Sequence, residues 1–410
     1  MMNSYLLTQD KEKCYGCGAC ELACNHSAIR TIADDEGFLY PHLDEGKCMH
    51  CGLCRKVCPY DNASLKKRPT QWYACWAKSK ALLMKSSTGG IFSVIAEYVI
   101  SQGGVVVGCA VNYKKLKAEH IIVAHTSELD CLRGSKYMQS DTNQTFSLVK
   151  EVLKRGVMVY YTGTPCQIAG LRNFLRKEYE NLITSDLFCH GVCSNLFFEN
   201  ELCYLERKYK GKIGNFRCRS KRKYRWIDGG IVAFDLTKKN GKTIPYDIPA
   251  SQSIMYYAFA YADAPYNLRW SCYNCQYRSN ERVGDITLGD YWGMESSHPE
   301  LCTPKRLAEG TALISINTPK AEALFNHISG ELEYLPVREQ DAIVQDALTG
   351  GKRDIPALRY TIYKSMVSMG YEKMAKRYLF TKRYWLKQKK KRLHNILHTI
   401  KLHFTHAKEN

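Results

Sequence analysis

Two stretches of this chain repeat one cysteine spacing. Cys14, Cys17, Cys20 and Cys24 are separated by two, two and three residues, and Cys48, Cys51, Cys54 and Cys58 repeat that pattern, with Pro59 following. No other feature narrows the possible folds as far. Three closely spaced thiolates wrap one face of an iron–sulfur cubane, and a fourth, just inside the next helix, reaches across to a second cubane. The spacing therefore predicts two [4Fe–4S] clusters with crossed ligands. Cys14, Cys17, Cys20 and Cys58 hold one, and Cys48, Cys51, Cys54 and Cys24 hold the other. Gly16, Gly18 and Gly52 allow the tight turns this wrapping needs. A zinc knuckle would use two pairs or a three-plus-one set per tetrahedral site, which two identical quartets fit poorly.

The pattern is that of a two-cluster bacterial ferredoxin, expected over residues 1–66. Asn25 replaces the proline that would follow the first quartet, a turn-shaping position that is not a ligand. The chain holds 19 cysteines in 410 residues. Met1 to Asp10 lacks the basic start and apolar core of a secretory leader, so metal ligation in a reducing, cytoplasmic compartment is expected rather than a disulfide framework. The most apolar stretch, Ile91 to Val111, is interrupted by Glu97, Gln102, Gly103 and Gly104. It reads as a helix, a turn and a buried strand rather than a membrane span.

After a polar linker from Asn62 to Gln71 the pattern alternates between helix and strand. The sequence predicts a helix over Ile91 to Ile100, strands over Val105–Val111, Ile121–His125 and Val157–Tyr161, a helix from Cys166 to about Arg176, and a strand over Leu182–Phe188. A hairpin over Gly229–Ile248, turning at Lys238–Lys242, and a strand and helix over Ala312–Ile316 and Lys320–Ile328 complete the reading. The expected class is α+β / α/β: a ferredoxin-like domain, an α/β body and a basic C-terminal helix. The turn Ser86-Ser87-Thr88-Gly89-Gly90 is either a plain helix cap or an anion cradle. No Walker loop and no G-x-G-x-x-G after a strand is present. Cys166 and Cys189 fall at predicted strand ends, and Cys272 and Cys275 form a Cys-x2-Cys pair. They are either small buried hydrophobes or the ligands of a third metal centre.

Ser86 to Gly90, Gly134-Ser135-Lys136-Tyr137, Thr162-Gly163-Thr164-Pro165-Cys166-Gln167, Cys189-His190-Gly191 and Gly284 to Gly293 occur in this order. Together they resemble the beta subunit of coenzyme F-420 hydrogenase/dehydrogenase, an iron–sulfur flavoprotein family, over residues 12–330. The resemblance implies FAD, a third [4Fe–4S] cluster beside it, and electron exchange with a redox partner protein or a small-molecule carrier. It makes Cys166, Cys189, Cys272 and Cys275 the third cluster's ligands, with Cys193 a competitor. It makes Ser86, Ser87, Thr88, Gly89, Gly90, Ser135, Lys136, Tyr137 and Thr164 cofactor-binding. His190 is either a catalytic proton relay or a histidine that orients the Cys189 loop. Asp285 and Asp290 are flavin or substrate contacts, or loop caps. On this basis the body divides into residues 72–142 and 143–330, with a helical extension over 331–410.

The net charge of +19 is concentrated at the C-terminus, where residues 371–410 carry 12 Lys/Arg and 2 Asp/Glu, or +10. Three clusters at about −2 each would bring the remaining +9 close to neutrality, so nucleic-acid binding is not needed to explain the charge. Leu393, Ile396, Leu397, Ile400 and Phe404 recur at helical spacing beside a lysine-rich run, with Tyr384 and Trp385 at its start. This suits an interfacial helix on an anionic membrane, or a helix packed on the body or a partner. The expected function is an FAD- and iron–sulfur-dependent oxidoreductase serving a hydride-accepting substrate. The alternatives are a non-catalytic electron-transfer adaptor or a membrane-surface tailoring reductase acting on glycan or lipid-linked substrates.

Overall fold

The computed structural model describes residues 4–63, 66–343, 348, 350–381 and 384. Its frame is an eight-stranded mixed sheet. In chain order the strands are β3 (Gln71–Ala77), β4 (Val105–Asn112), β5 (Lys117–Val123), β6 (Val159–Thr162), β7 (Leu182–Leu187), β11 (Ile286–Asp290), β12 (Ala312–Ile316) and β13 (Leu332–Pro336). They lie in the order β13-β3-β12-β11-β7-β6-β4-β5. The centre, β4-β6-β7-β11, is parallel, and the outer pairs are antiparallel. A small hairpin, β1 (Ile29–Ala33) with β2 (Leu39–Leu43), belongs to the cluster domain. A three-stranded antiparallel sheet is built from β8 (Lys212–Cys218), β9 (Ile231–Thr237) and β10 (Thr243–Pro249).

Helices cover both faces of the large sheet because its central strands are apolar on both sides. Helix Ile91–Ser101 starts at Gly90, whose φ of +85° favours glycine, and buries Ile91, Val94, Ile95 and Val99. It shares its core with helix Pro319–Ile328. Helix Pro165–Leu175 lies on the other face. Its start is written in sequence: Thr164 and Gln167 form a reciprocal capping box, and Pro165 takes the first turn, where no N–H is needed.

The cluster domain shares its core with the body. Tyr15, Cys17, Ala19, Ala23 and Val57 pack with Phe146, Val149, Ile168 and Phe174. Gly170 makes this contact possible, because a Cβ there would stand 2.8 Å from the Cys17 sulfur. Thr142 Oγ1 donates to the Cys17 carbonyl, and Gln139 binds both Gly16 O and Leu39 N. A second tie is ionic. Arg359, on helix Leu358–Met369, donates to both oxygens of Glu36 at 2.8 and 2.7 Å. Trp270 donates to the same carboxylate, and its ring stacks on the guanidinium with 3.9 Å from ring centroid to Cζ.

Several expectations change. Gln71, expected in a linker, opens β3, an interior strand between β12 and β13. Its run, QWYACWA, lacks the alternation that marks a half-buried strand. The strand expected over Ile121–His125 runs over Lys117–Val123, because hairpin pairing with β4 starts at Lys117. The two parts on either side of 142/143 form one body, since one sheet takes β4 and β5 from the first and β6 and β7 from the second. That sheet continues past residue 330, where β13 extends it ahead of the C-terminal helices. Tyr384 is not free as a membrane anchor: it is buried, donates to Ser251 O and packs on Tyr257 and Phe380. Trp385 and the stripe from Leu393 to Phe404 lie outside the described residues. Among the described residues no helix is long and apolar enough to cross a membrane.

Removing one member of a buried, hydrogen-bonded ion pair strands the other. Arg359→Met is therefore expected to destabilise the fold by about 3–5 kcal/mol. The double variant Glu36→Gln/Arg359→Met should recover much of that loss. Denaturant unfolding of the two variants checks it; equal losses would show that the pair's charge is not what matters.

Candidate functional site

Three cysteine quartets assemble, and their neighbours identify them. Burial raises the Cys17 thiol to about 12, with Cys58 and Cys14 as its charged neighbours. Burial likewise raises Cys20, whose neighbours are Cys17, Cys14, Cys58 and Cys54. Cys54 is raised by burial too, and its thiol neighbours are Cys51, Cys48 and Cys24. These are the two crossed sets that the spacing predicts. The Gly16 and Ala28 N–H groups donate to the Cys14 and Cys24 sulfurs, each at 3.3 Å. Such hydrogen bonds stabilise cluster thiolates.

The third quartet forms at the C-terminal edge of the parallel strands. Cys166 stands at the start of its helix after β6, and Cys189 two residues beyond β7. Cys272 and Cys275 come from the loop containing helix Trp270–Tyr273. Burial raises Cys189, Cys272 and Cys275 to about 11 each, and Cys166 further still, with members of the set among the neighbours of each. Gly191 N–H donates to the Cys189 sulfur at 3.4 Å, and Thr164 Oγ1 lies 3.2 Å from the Cys166 sulfur. Positive charge surrounds the set: Arg282 and Arg353 act on Cys189, Arg269 on Cys272 and Arg278 on Cys275. Guanidiniums around four thiolates suit a cluster of net negative charge. Among the described residues no three His, Cys, Asp or Glu side chains converge on one metal-ion position. Cys193 is not a competing ligand. It is fully buried beside Cys218 and Glu201.

All four thiols line one cavity of about 930 Å³. This is at the upper end of the range for small-molecule and cofactor sites. The same wall carries Ser86, Ser87, Thr88, Gly90, Ser135, Lys136, Tyr137 and Thr164, together with the first residues of helix Ile91–Ser101. Ser135 N–H and Oγ both bond to Ser87 Oγ, at 2.8 and 2.9 Å. Tyr137 stacks on Tyr256 and Phe259 with ring centroids 5.4 and 4.6 Å apart.

Two expected roles need correction, those of Gly89 and Lys136. Gly89 does not clear space for a ligand; a Cβ there would lie 2.3 Å from the Cys75 carbonyl, so the glycine lets the turn pack on β3. Lys136 is neither solvated nor free for an anion. Its ammonium donates to the Leu132, Arg133 and Gly134 carbonyls, which takes all three donors. His190 is exposed at the cavity rim, where Arg353 Nη1 donates to its carbonyl at 2.8 Å. Asp285 is structural: it accepts from Thr184, Arg172 and Thr318 in the core. Asp290 does reach the cavity.

Sequence reasoning passed over His120, Arg219, Arg269 and Lys221. His120 is buried in the cavity wall. Its Nε2 donates to Thr162 O at 3.0 Å, and its Nδ1 lies 2.7 Å from Ser140 Oγ. No spacing rule singles out a lone histidine on a strand.

Burial lowers His120 to about 4. An unfolded histidine titrates near 6.5. Between those values the unfolded chain binds a proton that the native chain refuses, so His120's contribution to stability is full above about pH 6.5 and falls as pH drops towards 4. The loss is on the order of 3 kcal/mol. His120→Gln should flatten this part of the stability profile, read by denaturant unfolding across the range. An unchanged slope would mean that other groups cause it.

Residues 13–62 match the 4Fe-4S dicluster domain. Residues 157–340 match the C-terminal region of the coenzyme F420 hydrogenase/dehydrogenase beta subunit. No curated protein matches the chain. Among solved structures, a chain of the F420-reducing [NiFe] hydrogenase complex from Methanosarcina barkeri is similar at 16% identity, with 78% of this chain and 95% of that chain covered and a TM-score of 0.42. The chain thus matches a dicluster domain at its start and, over residues 157–340, the C-terminal region of the coenzyme F420 hydrogenase/dehydrogenase beta subunit.

Proposed function

We propose that the protein is an FAD-dependent iron–sulfur oxidoreductase that moves electrons between a docking partner at its outer quartet and a hydride-accepting substrate in the cavity. The observation carrying this reading is the linear order of the three quartets. Cys51, in the outer set, is exposed, and neighbouring Met49 is 68% exposed. The inner set lies against Gly170, on the helix Pro165–Leu175 that carries Cys166 in its first turn. The last set lines the cavity.

Aromatic and cationic side chains fill the gap between the inner and last sets. Tyr277 has Cys166, Cys17, Cys275 and Cys58 as neighbours, and it meets Tyr15 edge-on at 5.5 Å. Its hydroxyl donates to Pro59 O. Arg269 is fully buried between Cys14 and Cys272, with Nε on the Cys14 carbonyl at 2.8 Å. These residues exclude water and hold the two cysteine loops together.

FAD, when bound, exchanges single electrons with clusters and a hydride with a substrate. The cavity's size, its aromatic walls and the helix start at Gly90–Phe92 suit such a group. Ser87 and Ser135 would fix the phosphate end, and Thr164 would face the same space. Lys136, with its donors taken, would shape the wall rather than bind charge. The +10 charge of residues 371–410 suits an anionic membrane or protein surface.

Protein purified without oxygen should hold about twelve irons and twelve labile sulfides, together with FAD absorbance. Cys272→Ala should lose about four irons and leave the two ferredoxin clusters intact. Eight irons in the unaltered protein would remove the third cluster, and clusters without flavin would leave an electron-transfer adaptor. Arg269→Gln removes a positive charge beside two sets. The potentials of the inner and last clusters should fall while that of the outer cluster stays, as read by potentiometric electron paramagnetic resonance. A uniform change in all three would point to general disruption.

A further inference from the structure

Arg219 follows directly on β8, and its hydrogen-bond donors are not accounted for by the protein around it. Its side chain is only 4% exposed. It lines the cavity. Its backbone φ is +64°, a region L-residues avoid unless the surroundings enforce it. Among the described residues its guanidinium donates no hydrogen bond, and Nη2 is fully buried without an acceptor in hydrogen-bonding geometry. A guanidinium carries five N–H donors, and leaving them unmet in a buried site is costly.

The group is nevertheless held firmly. Its face lies 4.5 Å from the ring centroid of Trp292 and 5.7 Å from that of Trp226, and those two rings stack at 5.0 Å. Asp290 Oδ1 lies 3.4 Å from Nη2 and accepts the Trp226 indole N–H. The ion pair and the stack set the plane of the guanidinium and leave its remaining N–H edges without partners. Two residues on, Lys221 donates to Thr88 O at 2.8 Å, which ties the end of β8 to the Ser86–Gly90 turn. That turn feeds the helix whose first N–H groups have no intrahelical acceptor. A fork of donors beside a helix start matches the charge and geometry of a phosphoryl group.

We propose that Arg219 anchors a phosphoryl-binding subsite in the cavity wall, with Trp292 and Asp290 orienting the guanidinium and the start of helix Ile91–Ser101 completing the donor set. The group it takes is a phosphate or pyrophosphate, carried either by the flavin or by the substrate. The inference rests on the reading of this cavity as the cofactor and substrate site.

The test compares the full chain and its Arg219→Met variant, both purified without oxygen, by flavin content and by calorimetric titration with inorganic pyrophosphate. Iron content reports folding. If the subsite takes the flavin's pyrophosphate, Arg219→Met retains less FAD and rebinds it at least about tenfold more weakly, while riboflavin affinity is unchanged. If it takes a substrate phosphate, flavin content is equal and pyrophosphate binding weakens by at least about tenfold. Arg219→Lys should restore part of the lost affinity through charge alone. Arg219→Met/Asp290→Asn, which leaves no unpaired carboxylate, should behave like the single variant and replaces it if that variant does not fold. Equal FAD retention with equal pyrophosphate affinity overturns the proposal, and so does unaltered protein that binds neither. Unaltered protein that lacks flavin but binds pyrophosphate in an Arg219-dependent way overturns the flavin reading and supports the subsite.

Discussion

A carboxylate and a guanidinium buried together set the geometry on which the redox line depends. Glu36 belongs to the cluster domain, Arg359 to the C-terminal helices, and Trp270 opens the loop that carries Cys272 and Cys275. Three segments far apart in sequence thus converge on one charge pair. Burying two ions is expensive, and the pair survives because every carboxylate oxygen accepts a hydrogen bond and an aromatic face covers the cation. A salt bridge of this kind is weak evidence for stability and stronger evidence for register. It accepts one relative placement of the three segments, and that placement sets the third quartet beside the first.

The second requirement is close packing. A ferredoxin-like domain on a flexible linker would leave its inner cluster at a variable distance from the body. Here Cys17 sits against Gly170, and the cores of the two units are continuous. Any larger side chain at residue 170 would push the inner quartet outward. The glycine is needed there for space and not for backbone freedom, since it lies inside a helix. Fully buried guanidiniums stand near the sulfurs: Arg269 beside Cys14 and Cys272, and Arg282 near Cys189. In an interior of low dielectric their charge acts on the sulfurs far more strongly than it would in water, which is the means by which a protein tunes cluster potential.

The cavity follows from topology. The parallel strands follow one another in chain order, β4-β6-β7-β11, and the loops after β6, β7 and β11 leave their C-terminal edge together. Such an edge is where open α/β sheets bind ligands. It collects residues 86–88, 90, 134–137, 162–166, 189, 290 and 292, which are scattered in sequence but line one space.

Residue spacing alone specifies the two ferredoxin quartets and their crossed pairing, because ligand spacing near a cubane is a local property of a short loop. Helix Ile91–Ser101, helix Pro165–Leu175 and the β9–β10 hairpin are equally legible, since their caps and turns are written in adjacent residues. The strand that carries the sheet past residue 330 is not legible in sequence, because sheet membership is decided by strands that meet across the whole chain. Gly89, Lys136 and His190 carry the right chemistry in the right motifs, yet their neighbours assign them to packing, to three carbonyls and to an exposed rim. Arg219 and His120 belong to no motif and become visible only through burial and the partners that surround them or are missing. Spacing along the chain specifies which atoms can share a nearby ligand; the folded chain decides which buried charges are already satisfied, and therefore which remain to bind something else.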